Sequence, residues 1–256
     1  MVQYCINLSG RESMAKKGFN KQSVDQATAD RLGDELLAEV AKGKPDLDKM
    51  KDLIAQGANL EKQGSNGYPP LLLAAMSEKN DAAFLLLDSG ANPDGAAPTG
   101  ASPLVFAALS GSSGNLPLVK KLLDKNADPN KYAHQTKTAV MWAAHRGFTD
   151  IALEIGSRGG DLLQKSTGSD PMNAMEWALD NNKRVTAEQL QRLQERKEQE
   201  AAAEKAKEEE RKAEAEAATA KQAFENALQY NISTHKPLTA PKRASFTKKP
   251  ETLGQK

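Results

Sequence analysis

The sequence predicts an all-α repeat solenoid, followed by an extended charged α-helix and a disordered tail. Three observations carry this. A phrase ending in an alanine pair occurs three times, as "GYPPLLLAA" (67–75), "GASPLVFAA" (100–108) and "TKTAVMWAA" (136–144). The pairs Ala74-Ala75, Ala107-Ala108 and Ala143-Ala144 recur after 33 and then 36 residues. A second phrase, "QGANLE" (56–61), "SGANPD" (89–94) and "KNADPN" (125–130), follows a paired apolar step each time, at Leu53-Ile54, Leu86-Leu87 and Leu122-Leu123. Self-similarity at such a period marks stacked helix-turn-helix units, none of which buries its apolar face alone.

Each element has its own reason. The alanine-pair phrase opens an inner helix, and the paired apolar step packs an outer helix. Gly57, Gly90 and Asn126 sit where that outer helix needs a left-handed residue to stop, a conformation glycine adopts without steric cost and asparagine tolerates. Small, turn-forming residues then begin a hairpin loop. Worn copies flank the three clear ones. "ELLAEVAKG" to "LIAQGANLE" (35–61) reads as a first capping repeat, and "GSDPMNAMEWALDNN" (168–182) as a last half-repeat. The pattern predicts helix pairs near 35–57, 70–89, 103–125 and 139–158, with one last helix near 172–181.

These phrases resemble the ankyrin repeat family, whose units read G-x-T-P-L-H-x-A-A, then a glycine, an apolar outer helix, and G-A-D or G-A-N. The resemblance covers about residues 34–182, as roughly four repeats plus a terminal half-repeat. There are departures. Pro69 and Ser102 replace the family threonine, and Ala139 replaces the proline of the fourth inner helix. Leu72, Val105 and Met141 replace the histidine, which removes the inter-repeat hydrogen bonds it makes. Ser112-Ser113-Gly114 is inserted between two helices.

The resemblance implies a partner protein on the concave face, made of hairpin tips and the exposed ends of the inner helices. The tip positions that match are Ser65, Asn66 and Tyr68, then Pro98, Thr99 and Ala101, then His134, Gln135 and Lys137. The inner-helix positions follow each alanine pair: Met76-Ser77, Leu109-Ser110 and His145-Arg146. Met76 and Leu109 place apolar groups on a surface open to polar residues, and Arg146 continues the row. Arginine and tyrosine dominate interface energetics, and methionine suits an adaptable surface.

Composition bounds the remaining classes. The chain has 256 residues, a formal net charge of +1 and 5% aromatic residues. Its mean hydropathy is −0.63. No global field points to nucleic acid or membrane, and no apolar run approaches the ~20 residues of a membrane span. The N-terminus lacks the basic-then-apolar order of a secretory signal. "MAKKGFNKQ" from Met14 looks more like a bacterial protein start, which makes Met14 the alternative to Met1. Cys5 is the only cysteine, so an intrachain disulfide is ruled out and a reducing compartment is consistent.

Catalytic chemistry is not expected. Gly111-Ser112-Ser113-Gly114 lacks the lysine of a phosphate loop. His134, His145 and His235, with Cys5 far away, make no zinc spacing. No cofactor, metal or small-molecule substrate is expected. His145 reads as a surface residue of the groove. Trp142 and Trp177 fill the large apolar slot before the small pair, where core packing between repeats is the expected role and ligand stacking the alternative.

From Arg184 the composition changes. Residues 184–230 contain no glycine or proline and are rich in alanine, glutamate, lysine and arginine, strong helix formers. Thr186 with Gln189 resembles a capping box. Pairs such as Glu188/Arg192 and Glu208/Lys212 each add about 0.2–0.5 kcal/mol. Val185, Leu190 and Leu193 begin one apolar face, and Phe224 and Leu228 end another. Between Gln194 and Gln222 every apolar residue is alanine. A sustained heptad of large apolar residues, which a coiled coil needs, is therefore missing, and the expectation is a spacer helix, with a weak coiled coil or a partner-docked helix as alternatives. At ~1.5 Å per residue such a helix reaches on the order of 65–70 Å.

The expected organisation is a disordered segment 1–31, a repeat domain 32–183, a charged helix 184–230 and a disordered basic tail 231–256. "KRASF" places Lys242 and Arg243 before Ser245, which resembles sites chosen by basophilic protein kinases and makes Ser245 a candidate phosphosite. Any contact with nucleic acid or membrane falls to this tail. The functional expectation is a cytoplasmic, monomeric, non-enzymatic scaffold or adaptor. The alternative is an ankyrin effector that a host-associated bacterium secretes into a host cell.

Overall fold

A computed structural model describes residues 25–98, 100–110, 115–133 and 137–234. Cys5, Met14, the Ser112-Ser113-Gly114 insertion, Thr99, His134, Gln135, His235 and Ser245 lie outside the described residues. Among the described residues the chain forms ten helices: α1 (Gln26–Ala41), α2 (Leu47–Ala55), α3 (Pro70–Met76), α4 (Asn80–Asp88), α5 (Pro103–Leu109), α6 (Leu116–Asp124), α7 (Ala139–Arg146), α8 (Thr149–Ser157), α9 (Ala174–Asp180) and α10 (Arg184–Thr234). Among the same residues, one strand pair joins β1 (Tyr132–Ala133) to β2 (Lys137–Thr138), antiparallel, with Tyr132 opposite Thr138. The fold is an all-α repeat solenoid with a long C-terminal helix.

The helices stack in two rows. In the inner row α1 packs on α3, α3 on α5, α5 on α7 and α7 on α9; in the outer row α2 packs on α4, α4 on α6 and α6 on α8. The alanine pairs make the close approach possible. Ala74, Ala75, Ala107, Ala108, Ala143 and Ala144 are all fully buried, so neighbouring inner helices meet with only a methyl group between them. Leu72, Val105 and Met141, which stand at the family's histidine positions, are also buried, at 0–1% exposure.

Local signals set the ends. Proline opens α3 and α5 at Pro70 and Pro103, where its missing N–H costs nothing. Ser102 accepts the Val105 N–H (3.5 Å), and Asn115 accepts the Leu118 N–H (3.3 Å). Asn173 and Glu176 form a reciprocal capping box on α9. The outer helices stop at Gly57 (φ 94), Gly90 (φ 94) and Asn126 (φ 64), the left-handed positions that the repeat phrase predicts, and α8 is followed likewise by Gly159 at φ 100.

In place of the histidine network, the hairpins carry their own ladder. Asn92 N–H donates to Glu61 Oε1 (2.7 Å), Asp128 N–H to Asp94 Oδ1 (3.0 Å) and Asp161 N–H to Asn130 Oδ1 (2.7 Å). The last polar side chain of each loop phrase thus receives a backbone N–H of the next repeat. The side chains of Asn59, Asn92, Asp128 and Asp161 each accept the N–H two residues on, which fixes the turn that presents it. Ion pairs link the outer row: Lys121 to Asp88 (2.7 Å), Lys125 to Asp88 (3.1 Å), and Arg158 to Asp124.

Three boundaries differ from the sequence expectation. Helix α1 begins at Gln26, inside the segment 1–31, because Asp25 accepts the Thr28 N–H (2.8 Å) and Leu32, Leu36 and Val40 are buried. Helix α10 continues through Thr234, past 230. The terminal half-repeat is a full helix pair. The first turns of α10 pack as its outer helix, burying Thr186, Ala187, Leu190 and Leu193 (0–5% exposed), while Val185 is 67% exposed. The buried face therefore starts one residue later than the apolar residues suggest. Thr186 does not cap the helix: its hydroxyl meets that of Thr149 on α8 at 2.7 Å. Gly156 leaves room for Leu193, whose Cδ2 lies 2.9 Å from where a Cβ would stand.

Residues through Glu195 belong to one compact unit, and those from Arg196 onward to a second. Within the second unit, residues 201–227 are exposed throughout, including Phe224 (61%). Glu208 pairs with Lys212 (3.6 Å) and Arg211 (3.5 Å).

Candidate functional site: the inner-row face

The positions that the repeat pattern assigns to a partner separate into distinct environments. Ser65 and Asn66 are exposed at the first described hairpin tip, and Asn66 Oδ1 accepts the Tyr68 N–H (3.1 Å). Tyr68 is half-buried. Pro98 is exposed and its ring covers Gly67, with Cγ 2.5 Å from the place of a Cβ. Met76 is 40% exposed at the end of α3, beside exposed Ser77. Leu109 is half-buried against the core at the matching place on α5. Ser110 Oγ donates to Phe106 O (2.7 Å), which ties it to its own helix. Ala101 is a correction. It is 1% exposed and its carbonyl accepts the Ala97 N–H (3.1 Å), so it closes a turn and offers no surface.

At the α7–α9 end the residues converge. Lys137 leaves β2 with its Nζ 3.4 Å from the ring centroid of Trp177 and 4.4 Å from that of Trp142. Both distances are within cation–π range. His145 lies edge-on between the same indoles, with centroids 5.8 Å from Trp142 and 5.6 Å from Trp177. Both tryptophans pack against the core with part of their surface open. The slot before the alanine pair is thus packed and also faces outward. The Trp177 Nε1–H donates to Ser166 Oγ (3.3 Å). Trp142 Nε1 is buried with no acceptor among the described residues.

His145 is no simple surface residue. Asn181 Nδ2 lies 2.8 Å from His145 Nδ1 and also donates to Trp177 O (3.0 Å). Burial pushes the imidazole pKa down, and the charges of Lys137, Arg146 and Lys183 push the same way against Asp180. Burial also lowers the Lys137 ammonium pKa, with Asp180 opposing. Arg146 is exposed, its guanidinium 5.3 Å from the Phe148 ring centroid. The stem of exposed Lys183 lies over Gly147, whose φ of 78 ends α7.

Repeat register alone places Lys137, His145 and Arg146 on this face, but not their convergence with Trp177, Asn181 and Lys183. The missed signal is the 36-residue offset from His145 to Asn181, the spacing between successive repeats. Among the described residues, no group of His, Cys, Asp and Glu side chains is arranged to hold a metal ion. No helix among them is long and apolar enough to cross a membrane.

A family model described as ankyrin repeats, in three copies, matches residues 37–133. Residues 37–133 are therefore a run of ankyrin repeats. Residues 37–133 hold the helix pairs up to the hairpin that carries Lys137. The chain is 31% identical over 107 residues to the mouse ankyrin repeat, SAM and basic leucine zipper domain-containing protein 1, covering 41% of this chain and 22% of the mouse protein. Its human counterpart is 29% identical over 107 residues, with the same coverage. The nine-banded armadillo (Dasypus novemcinctus) protein is 27% identical over 117 residues, 45% of this chain and 25% of that protein. The match therefore spans a quarter or less of these relatives. Ankyrin repeats are a protein–protein interaction module.

Proposed function

We propose that the chain is a non-enzymatic adaptor that holds a partner protein on the face built by the inner-helix ends and hairpin tips. The observation that carries this reading is the run of open apolar and aromatic surface along successive inner helices. Met76 is 40% exposed on α3, and Leu109, Trp142 and Trp177 follow on α5, α7 and α9, each partly open. Rigid aromatic groups and methionine on a preformed surface supply contact area at little entropic cost. Ankyrin surfaces set the target through such side chains, since the fold alone does not.

In this reading the chain acts as a cytoplasmic monomer. The exposed part of α10 is a spacer, and any contact with nucleic acid or membrane is left to the basic tail. The test is a combined Tyr68→Ser, Met76→Ser, Leu109→Ser and Arg146→Gln variant. It is expected to lose its partners in affinity capture from a native extract, while substitutions on the exposed face of α10 leave capture intact.

A further inference from the structure

We propose that the α7–α9 end of the inner face is a carboxylate-accepting subsite, in which Lys137, flanked by Arg146 and Lys183, takes an Asp or Glu side chain of an acidic partner segment. The proposal rests on the adaptor reading above and names the chemistry its partner brings. The first observation is the state of Lys137. Its ammonium is half-buried against the faces of Trp142 and Trp177, and no carboxylate among the described residues lies within 4.0 Å of it. Ring faces replace only part of the lost hydration. A carboxylate arriving there gains a charge-assisted hydrogen bond in a setting that the indoles keep partly dry.

The second observation is charge balance. Lys137, Arg146 and Lys183 all act on His145 from different elements, and Asp180 is the one opposing charge among the groups that do so. Arg184, next to Lys183, is exposed as well. The end of the row is therefore positive in a chain whose formal net charge is only +1. A cationic partner group is disfavoured twice, because Lys137 already fills the space between the rings and its neighbours repel a second cation. A nucleic acid is the weaker fit. It calls for an extended basic stripe along the backbone, whereas here one cation, Lys137, sits in the aromatic slot and Arg146 and Lys183 act on His145 beside it.

The chain's two tryptophans are both in this cluster, so its intrinsic fluorescence reports the site directly. The test selects a random-peptide phage library on the immobilised full chain. Enriched peptides and their Asp/Glu→Gln counterparts are then titrated by tryptophan emission. Expected are peptides sharing an acidic position, a shift in emission on binding, and about tenfold weaker binding of the Gln counterpart. Lys137→Met keeps the apolar stem between the rings and is expected to bring the two peptides within about twofold. Lys183→Gln, on an exposed side chain, is expected to narrow the gap part-way without touching the core.

Enriched peptides without an acidic residue, no enrichment, a preference that persists in both variants, or displacement of the selected peptide by a single-stranded RNA would overturn the proposal. A Met76→Ser, Leu109→Ser variant separates the two levels. If it weakens binding while acidic preference is absent, the subsite fails and the adaptor face stands. If it changes nothing while the acidic preference is intact, the subsite stands and the wider face fails.

Discussion

Asn181 donates its side-chain N–H to His145 Nδ1 across 2.8 Å, from one inner helix to the next. The same Nδ2 donates to Trp177 O, so it is the amide nitrogen that faces the imidazole, and Nδ1 accepts. The ring proton then resides on Nε2. Protonating His145 would set two donors against each other and add a fourth positive charge beside Lys137, Arg146 and Lys183.

The pH consequence has a definite sign. The folded-state pKa of His145 lies below its ordinary 6.5, so the unfolded chain binds the proton more readily. Stability falls as the pH drops below about 6.5, and the loss is complete once the pH is below the folded value. His145→Gln is expected to flatten this part of the stability curve. Equal slopes between pH 7 and 5 in urea titrations of the two proteins would contradict the arrangement.

A second titration lies lower. Glu39 is only 1% exposed, bonded by Lys42 Nζ (2.6 Å) and the Asp46 N–H (3.0 Å), with Lys49 at 3.4 Å. The hydrogen bond from Lys42, then that from Asp46, hold its pKa at about 2 against a usual 4.5. Its contribution is present above pH 4.5 and is lost as the pH falls toward 2. Glu39→Gln is expected to lower stability at pH 7 and to narrow its difference from wild type at pH 2.5. A difference independent of pH would count against the pairing.

Glu78 occupies the turn between α3 and α4 at φ 57, the place where Gly147 stands in the α7–α8 turn at φ 78. A left-handed L-residue costs about 1–2 kcal/mol, part of which glycine returns as unfolded-state entropy. Glu78→Gly is expected to stabilise the fold by about 0.5–1 kcal/mol, visible as a higher melting temperature. A lower melting temperature would mean the turn is held by something other than backbone strain.

Leu86 is fully buried in the stacked core. Leu86→Ala is expected to cost about 2–5 kcal/mol in chemical denaturation, the range for truncating a packed leucine. An unchanged midpoint would place residue 86 outside the repeat interface.

Much of this was legible from period alone. The alanine pairs located the inner helices, and Gly57, Gly90 and Asn126 located the outer-helix stops, because both demands are local: a small side chain at a close contact and a left-handed backbone at a turn. What escaped depends on neighbours in space. Ala101 has the spacing of a tip residue, but a backbone turn buries it. Val185 is apolar yet exposed, since the docked face of α10 is set by α8 and runs through Thr186. The Lys137–Trp177 contact and the Asp94–Asp128 rung each join different repeats, and no single unit's sequence encodes the pairing.

The most direct measurement for the binding face is site-specific photo-crosslinking of the full chain in a native extract. One crosslinking residue replaces Met76 on the inner row, a second replaces Lys120 on the outer row, and a third replaces Glu209 on α10. A partner on the inner-row face gives a discrete adduct from position 76, lost when Leu109→Ser and Arg146→Gln are added, with none from 120 or 209. Partner adducts from 120 or 209 with none from 76 would contradict that placement.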